Sequence, residues 1–198
     1  MQNLQFPLQL KFKIAVLNPQ FSVTDAGGKD VAYVKQKAFK LREDISVYTS
    51  SAQTKLQYKI KADRWLDFNA SYALTRPDGT DVGRLVRKGA RSLWKAAYEL
   101  YDENGKQDLL LQEDNAWVRV LDGLVGEIPV LGMLTGMFLN PTYNITRPDG
   151  TLVARLKKKA DLISRAFTLE QVAPFEEGEE TRIVLGTMMM VVLERTRG

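Results

Sequence analysis

The sequence predicts an all-β domain: a closed barrel of about a dozen strands enclosing one hydrophobic C-terminal α-helix. Three observations predict it. A hairpin motif occurs three times along the 198 residues, and further strand-like runs follow its copies. Residues 183–193 (Ile-Val-Leu-Gly-Thr-Met-Met-Met-Val-Val-Leu) are apolar or small at every position. A helix with no polar face belongs inside a core or in a membrane.

The first strand is residues 8–14. Leu8, Leu10, Phe12 and Ile14 alternate with Gln9, Lys11 and Lys13, the period-2 pattern of a half-buried strand. Residues 55–61 repeat the pattern, with Leu56, Tyr58 and Ile60 inward and Lys55, Gln57, Lys59 and Lys61 outward.

Internal repetition carries the architecture. Thr75-Arg-Pro-Asp-Gly-Thr80 recurs unchanged as Thr146-Arg-Pro-Asp-Gly-Thr151, and the likeness extends without a gap over 72–85 and 143–156. A weaker copy begins Phe21-Ser-Val-Thr24 and continues through Gly28 to Val31-Ala-Tyr-Val34. Proline, aspartate and glycine stand where a type I turn favours them, and Gly27-Gly28 serves the first copy. Each copy therefore begins as a β-hairpin. Further strands are predicted at 45–49 and 55–61, at 94–101 and 108–112 through the turn signal Asn104-Gly105, and at 165–171. A sheet of about a dozen strands tends to close or split, and one apolar helix is available to fill it.

The second strand of each hairpin agrees. Its inward face holds a small residue at the same place in every copy (Ala32, Gly83, Ala154) and a larger one two places on (Val34, Leu85, Leu156). Small inward residues suit close approach to a central helix. On β-alternation, Val153, Arg155, Lys157 and Lys159 share the outward face.

Residues 117–139 interrupt the pattern with Gly123-Leu-Val-Gly126, Pro129 and the apolar run 130–139. They are expected to form a pair of short helices, a helical insertion plugging one barrel end. Arg119, Asp122, Glu127 and Pro129 confine the apolar run to a length below a membrane span, and no phosphate-loop pattern is present. The terminal helix is expected around 180–195. Glu176, Glu177, Glu179 and Glu180 precede its apolar run and Arg195 and Arg197 follow it, signs that suit the helix dipole. Its apolar run is also too short to span a bilayer.

Composition narrows the chemistry. The 44% hydrophobic and 26% charged residues are ordinary for one globular domain, expected here to span 1–198. The chain has no cysteine and no histidine. Disulfides, thiolate catalysis, cysteine zinc sites and histidine-based triads or metal ligation are therefore outside its means. A non-enzyme without a cofactor is expected. The N-terminus lacks the pattern of a secretory signal, which makes a cytoplasmic address, peripheral to a membrane at most, the expectation.

The repeated hairpins (21–37, 72–88, 143–159) and the apolar helix together resemble the tubby-like barrel superfamily, in particular its LURP-one-related branch, with the phospholipid scramblases as more distant relatives. The likeness covers most of the chain, from about residue 6. It implies a twelve-stranded barrel threaded by its own C-terminal helix. Tubby proteins bind phosphoinositides through lysine and arginine on the barrel wall. Scramblases use a calcium-binding stretch and palmitoylated cysteines, and this chain offers neither a cysteine nor an acidic loop with calcium-ligand spacing.

Three basic clusters are the candidate headgroup sites. Arg155, Lys157, Lys158 and Lys159 form the densest; Arg84, Arg87, Lys88 and Arg91 form a second; Lys35, Lys37, Lys40 and Arg42 form a third. Grouped lysines suit anionic lipid. The competing explanation is a solvated barrel surface whose lysines guard against edge pairing. On that account, equivalent residues of three repeats are expected to spread around the barrel instead of gathering on one face. Nucleic acid is not an expected partner, because the aromatic residues do not interleave with basic ones in an RNA-recognition pattern. The reading is a non-catalytic binding module for anionic phospholipid or phosphoinositide headgroups; the alternative is a soluble protein-interaction or regulatory domain. The partner's identity and the oligomeric state are not legible.

Overall fold

Hairpin turns of one design set the fold locally. The amides of Asp25, Arg76, Asp102 and Arg147 donate to the carbonyls of Lys29, Thr80, Lys106 and Thr151 at 2.9–3.0 Å. In each turn a glycine (Gly28, Gly79, Gly105, Gly150) takes a φ of 79–93°, the left-handed conformation that this loop needs and that a side chain resists. The prediction from Arg-Pro-Asp-Gly and Asn104-Gly105 is borne out.

The computed structural model describes residues 1, 3–13, 19–36, 44–66, 69–88, 97–114, 142–159 and 166–195. Its strands are β1 (Leu8–Phe12), β2 (Gln20–Thr24), β3 (Asp30–Gln36), β4 (Asp44–Tyr48), β5 (Leu56–Leu66) and β6 (Asn69–Thr75). They continue as β7 (Asp81–Lys88), β8 (Ala97–Tyr101), β9 (Gln107–Glu113), β10 (Thr142–Thr146), β11 (Leu152–Lys158) and β12 (Ala166–Gln171), followed by helix α1 (Glu179–Arg195). Every strand pairs antiparallel with its sequence neighbours. The barrel closes through β1, where Leu8 faces Leu169 of β12 and Leu10 faces both Phe167 and Val23. The expected closed sheet around a helix is the observed architecture. The expected helices within 117–139 lie outside the described residues, as does Ile14.

The three repeated hairpins share a detail that alternation alone conceals. Register shifts at Val23/Thr24, Leu74/Thr75 and Ile145/Thr146, leaving Val31, Val82 and Val153 as the extra residue of a bulge. Val153 is accordingly fully buried, although strict alternation puts it on the outward face. The amides of Val172 and Ala173 reach its carbonyl from the chain leaving β12.

Residues 183–193 are buried on every side of α1, as the absence of a polar face requires. Seventeen residues at 1.5 Å each make a rod of about 25 Å, long enough to run the barrel's length. Among the described residues no helix is long and apolar enough to cross a membrane. Packing against the wall is tight: a Cβ on Gly186 would lie 2.9 Å from Leu100 Cδ2. Ala32 and Ala154 are buried in the wall. Gly83 is small for a more particular reason than helix approach. Its φ is +137°, and a Cβ there would sit 2.3 Å from the Tyr101 carbonyl and 3.0 Å from Arg182 Cδ.

Strict antiparallel order gives the barrel two unlike ends. The hairpin turns and the start of α1 occupy one, the turn end. Strands β3, β7 and β11, the second strands of the three repeats, all run from there to the opposite rim.

Candidate functional site

At the turn end, charge is spent on holding the helix. Arg147, from the third repeated turn, donates Nε and Nη2 to the two carboxylate oxygens of Glu179 at 2.8 Å each, with Nη2 also reaching the Pro174 carbonyl. One turn further along α1, Arg182 is almost wholly buried; its Nε contacts Asp108 Oδ2 at 2.6 Å and its Nη1 contacts Glu103 Oε2 at 3.2 Å. Asp108 is the extra residue of the β8–β9 bulge, since Leu100 faces Leu109 and Tyr101 faces Gln107. The N-terminal segment crosses the same end: the amides of Asn3 and Leu4 donate to Glu180, and Thr181 Oγ1 donates to the Met1 carbonyl.

Protonation follows this geometry. Burial opposes the charged form of Glu179, but the Arg147 hydrogen bonds and the Glu176 amide outweigh it and hold the carboxyl below its ordinary value. For Asp108 burial prevails over Arg182 and pushes the carboxyl up, in keeping with its second oxygen, Oδ1, being buried without a partner among the described residues. Asp78, Asp102 and Asp149 are held down by backbone amides of their own turns. A groove of about 500 Å³ lies beside this network, lined by Asp81, Arg84, Val86 and residues 101–105. Among the described residues no group of three or more Asp, Glu, His or Cys could hold a metal ion.

The opposite rim gathers the predicted basic residues. Lys35, Arg87 with Lys88, and Lys157 with Lys158 stand at the rim ends of β3, β7 and β11, and Lys159 follows directly, its amide bonded to the Ala166 carbonyl. These strands are spaced four apart around a twelve-stranded barrel, so the clusters are spread around it, as expected. What the sequence reading missed is that they share one rim. Lys13, at the end of β1, adds to it, its Nζ 4.9 Å from the centre of the Tyr33 ring. Asp44, Glu99, Glu113 and Asp114 are the strand carboxylates near that rim among the described residues, with Asp63 and Glu170 lower on the wall and Glu194 in the last turn of α1. At the turn end the balance reverses. Among the described residues, Asp25, Asp30, Asp78, Asp81, Asp102, Glu103, Asp108, Asp149 and the glutamates at 176, 177, 179 and 180 outnumber Lys29, Lys55, Lys59, Arg76, Lys106, Arg147, Arg182 and the Met1 ammonium.

The candidates differ in how they are held. Lys157 pairs with Glu170 at 2.8 Å and Lys88 with Glu99 at 3.0 Å, each between adjoining strands, and Arg84 of β7 reaches across β6 to Asp63 of β5 at 3.1 Å. Lys35 reaches Gln53, and Arg155 donates to Asn144. Arg84 and Arg155 sit on the mid-wall and do not join the rim. Arg87 and Lys158 continue the inward series after Leu85 and Leu156, and both are half-buried at the barrel mouth. Among the described residues neither makes an ion pair, and nor does Lys159. The inward series was present in the sequence, two residues beyond the last apolar member of the second and third copies; the first copy has Gln36 there. Lys37, Lys40, Arg42 and Arg91 lie outside the described residues.

A family model described as LURP-one-related matches residues 30–177, which takes in all of β3 to β12. Neither the curated proteins nor the solved structures include a significant match.

Proposed function

The chain belongs to the LURP-one-related family, and from that premise we propose that it is a non-catalytic module that binds anionic lipid headgroups at a membrane surface. The observation that carries the reading is the gathering of Arg87, Lys88 and Lys157–Lys159 at one rim, with Arg87, Lys158 and Lys159 outside any ion pair among the described residues; Lys35 stands at the rim end of β3 but turns its Nζ to Gln53 of the β4–β5 turn. Lysines near an anionic leaflet each add about 1 kcal/mol of attraction. The binding is peripheral, with no enzymatic step and no cofactor.

A second reading, a soluble protein-interaction or regulatory domain, draws on a different observation. Lys88, Lys157 and Arg84 are already paired along the wall, as in a solvated barrel surface. Co-sedimentation with vesicles separates the two, comparing neutral, anionic and phosphoinositide-doped membranes at low and physiological salt. The lipid reading expects binding to the anionic vesicles that persists at physiological salt and weakens when Lys157, Lys158 and Lys159 become alanine. Binding only at low salt, or none, discards it in favour of a protein partner.

A further inference from the structure

We infer that Asn104, in the turn between β8 and β9, is a site of spontaneous covalent modification. Its side chain closes on the Gly105 amide as a succinimide and reopens as β-linked aspartate. That product is a substrate for enzymes that methylate isoaspartate. The inference is independent of the lipid reading, and it concerns the turn end, where every residue of this turn is described.

Three turns of one design isolate the cause. Asp78-Gly79, Asn104-Gly105 and Asp149-Gly150 hold the same two places in their turns, and each glycine has a φ of 80–93°. Each glycine amide donates back to the first carbonyl of its turn (Arg76, Asp102 or Arg147) at 2.9–3.1 Å. That bond must open before the nitrogen can attack, and it restrains all three alike. The side chains differ. Asp78 and Asp149 accept from the amides of Thr80 and Thr151 at 2.9 Å. In the β8–β9 turn the equivalent amide, Lys106, donates to Asp102 Oδ1 at 2.8 Å, as the Asn104 amide does at 2.9 Å. Among the described residues the Asn104 side chain has no hydrogen bond, so it is free to rotate toward Gly105. Both residues are exposed, and no atom beyond the neighbouring residues lies within 4 Å of a Cβ placed on Gly105, which leaves room for a ring.

The chemistry needs only water. The Gly105 nitrogen loses its proton and bonds to Asn104 Cγ, while the Cγ–Nδ2 bond breaks and that nitrogen leaves as ammonia. Water then opens the ring. Attack at Cγ gives ordinary aspartate; attack at the main-chain carbonyl gives isoaspartate, whose backbone runs through Cβ and Cγ. Asp78 and Asp149 are protected twice. Their side chains are anchored, and the Thr80 and Thr151 amides hold their carboxyls down, so they stay ionised and are poor electrophiles. Isoaspartate lengthens the backbone between Glu103 and Gly105. Glu103 Oε2 contacts Arg182 Nη1 at 3.2 Å, so the distortion falls on the anchorage of α1. The product also adds a carboxylate to the groove lined by Asp81, Arg84 and residues 101–105.

The test ages the folded protein in mildly alkaline buffer and follows the tryptic fragment of residues 96–106, in which Asn104 is the one asparagine. That fragment should gain about 1 Da and accept methyl groups from a protein-isoaspartate methyltransferase. Methyl acceptance at Asp78 and Asp149 should appear about tenfold more slowly. Asp78→Asn separates the anchor from the leaving group, because it keeps an acceptor for the Thr80 amide. Conversion at position 78 of that variant should be about fivefold slower than at Asn104. The isoaspartate form, separated by its added charge, should melt about 3 °C lower. Asn104→Asp, which adds the charge without lengthening the backbone, should leave the melting temperature unchanged.

Three outcomes overturn the inference. An unchanged fragment in the folded protein, after a synthetic peptide of residues 96–106 has converted, would show that the turn protects Asn104. Equal rates at Asn104 and at position 78 of Asp78→Asn would remove the free side chain as the cause. An isoaspartate form that melts with the unmodified protein would remove the link to the anchorage of α1.

Discussion

The two ends of the barrel use charge in opposite ways. At the turn end, ionic groups are consumed by the fold: carboxylates cap turn amides, and Arg147 and Arg182 fix α1 through Glu179, Asp108 and Glu103. At the rim, Arg87, Lys158 and Lys159 hold nothing in place among the described residues. Charges with no structural work are the ones free to meet a partner. The difference shows why an ion pair's burial matters more than its presence: Arg182 is 7% exposed, whereas Lys157 and Lys88 are nearly half exposed in pairs that solvent screens.

The largest test of that contrast is at Arg182. Arg182→Met keeps a stem to pack near Gly83 but strands the buried Asp108 carboxylate. A loss of about 3 kcal/mol in unfolding free energy is expected from denaturant titration. Adding Asp108→Asn should recover part of the loss, because the stranded charge is gone. A single-mutant loss below about 1 kcal/mol would mean that the helix is held by apolar burial alone.

Much of the barrel is legible in the sequence. Asp-Gly and Asn-Gly steps announce their turns because few residues take a left-handed φ, and residues 183–193 announce a buried helix because nothing in them suits water. The turn-end network was not legible. Nothing in the sequence pairs Arg182 with Asp108, 74 positions away, and the bulge that sets Asp108 in place appears only in the register. The basic clusters were legible as residues and the rim was not. Cations dispersed along the chain become neighbours in height only once every second strand is sent the same way by antiparallel closure.

Acid should expose the turn end selectively. Asp78, Asp102, Asp149 and Glu179 have carboxyls held down in the fold, so their contribution is fully present above the unfolded values near pH 4 and is lost as pH falls through the lower folded ones. Asp108 has the opposite sign. Its raised folded value makes the fold gain stability as pH falls through that value toward 4. Melting temperature measured from pH 7 to pH 2 should therefore hold or rise slightly before a steep fall below pH 4. Asp78→Asn with Asp149→Asn, which keeps an acceptor for each turn amide but removes titration, should shallow that fall. An unchanged acid limb would show that these carboxylates titrate alike in folded and unfolded chains.

The smallest effect belongs to the rim, and its smallness is what gives it meaning. Lys158→Gln and Lys159→Gln remove cations that no described carboxylate neutralises, from a rim where like charges crowd. Each should change unfolding free energy by no more than about 0.5 kcal/mol, and relief of repulsion would make the change stabilising. A loss of 2 kcal/mol at either position would show that the side chain is structural, with a part in holding the mouth around the end of α1. A near-zero value beside a large one at Arg182 would mean that the barrel keeps these lysines for something other than its own stability.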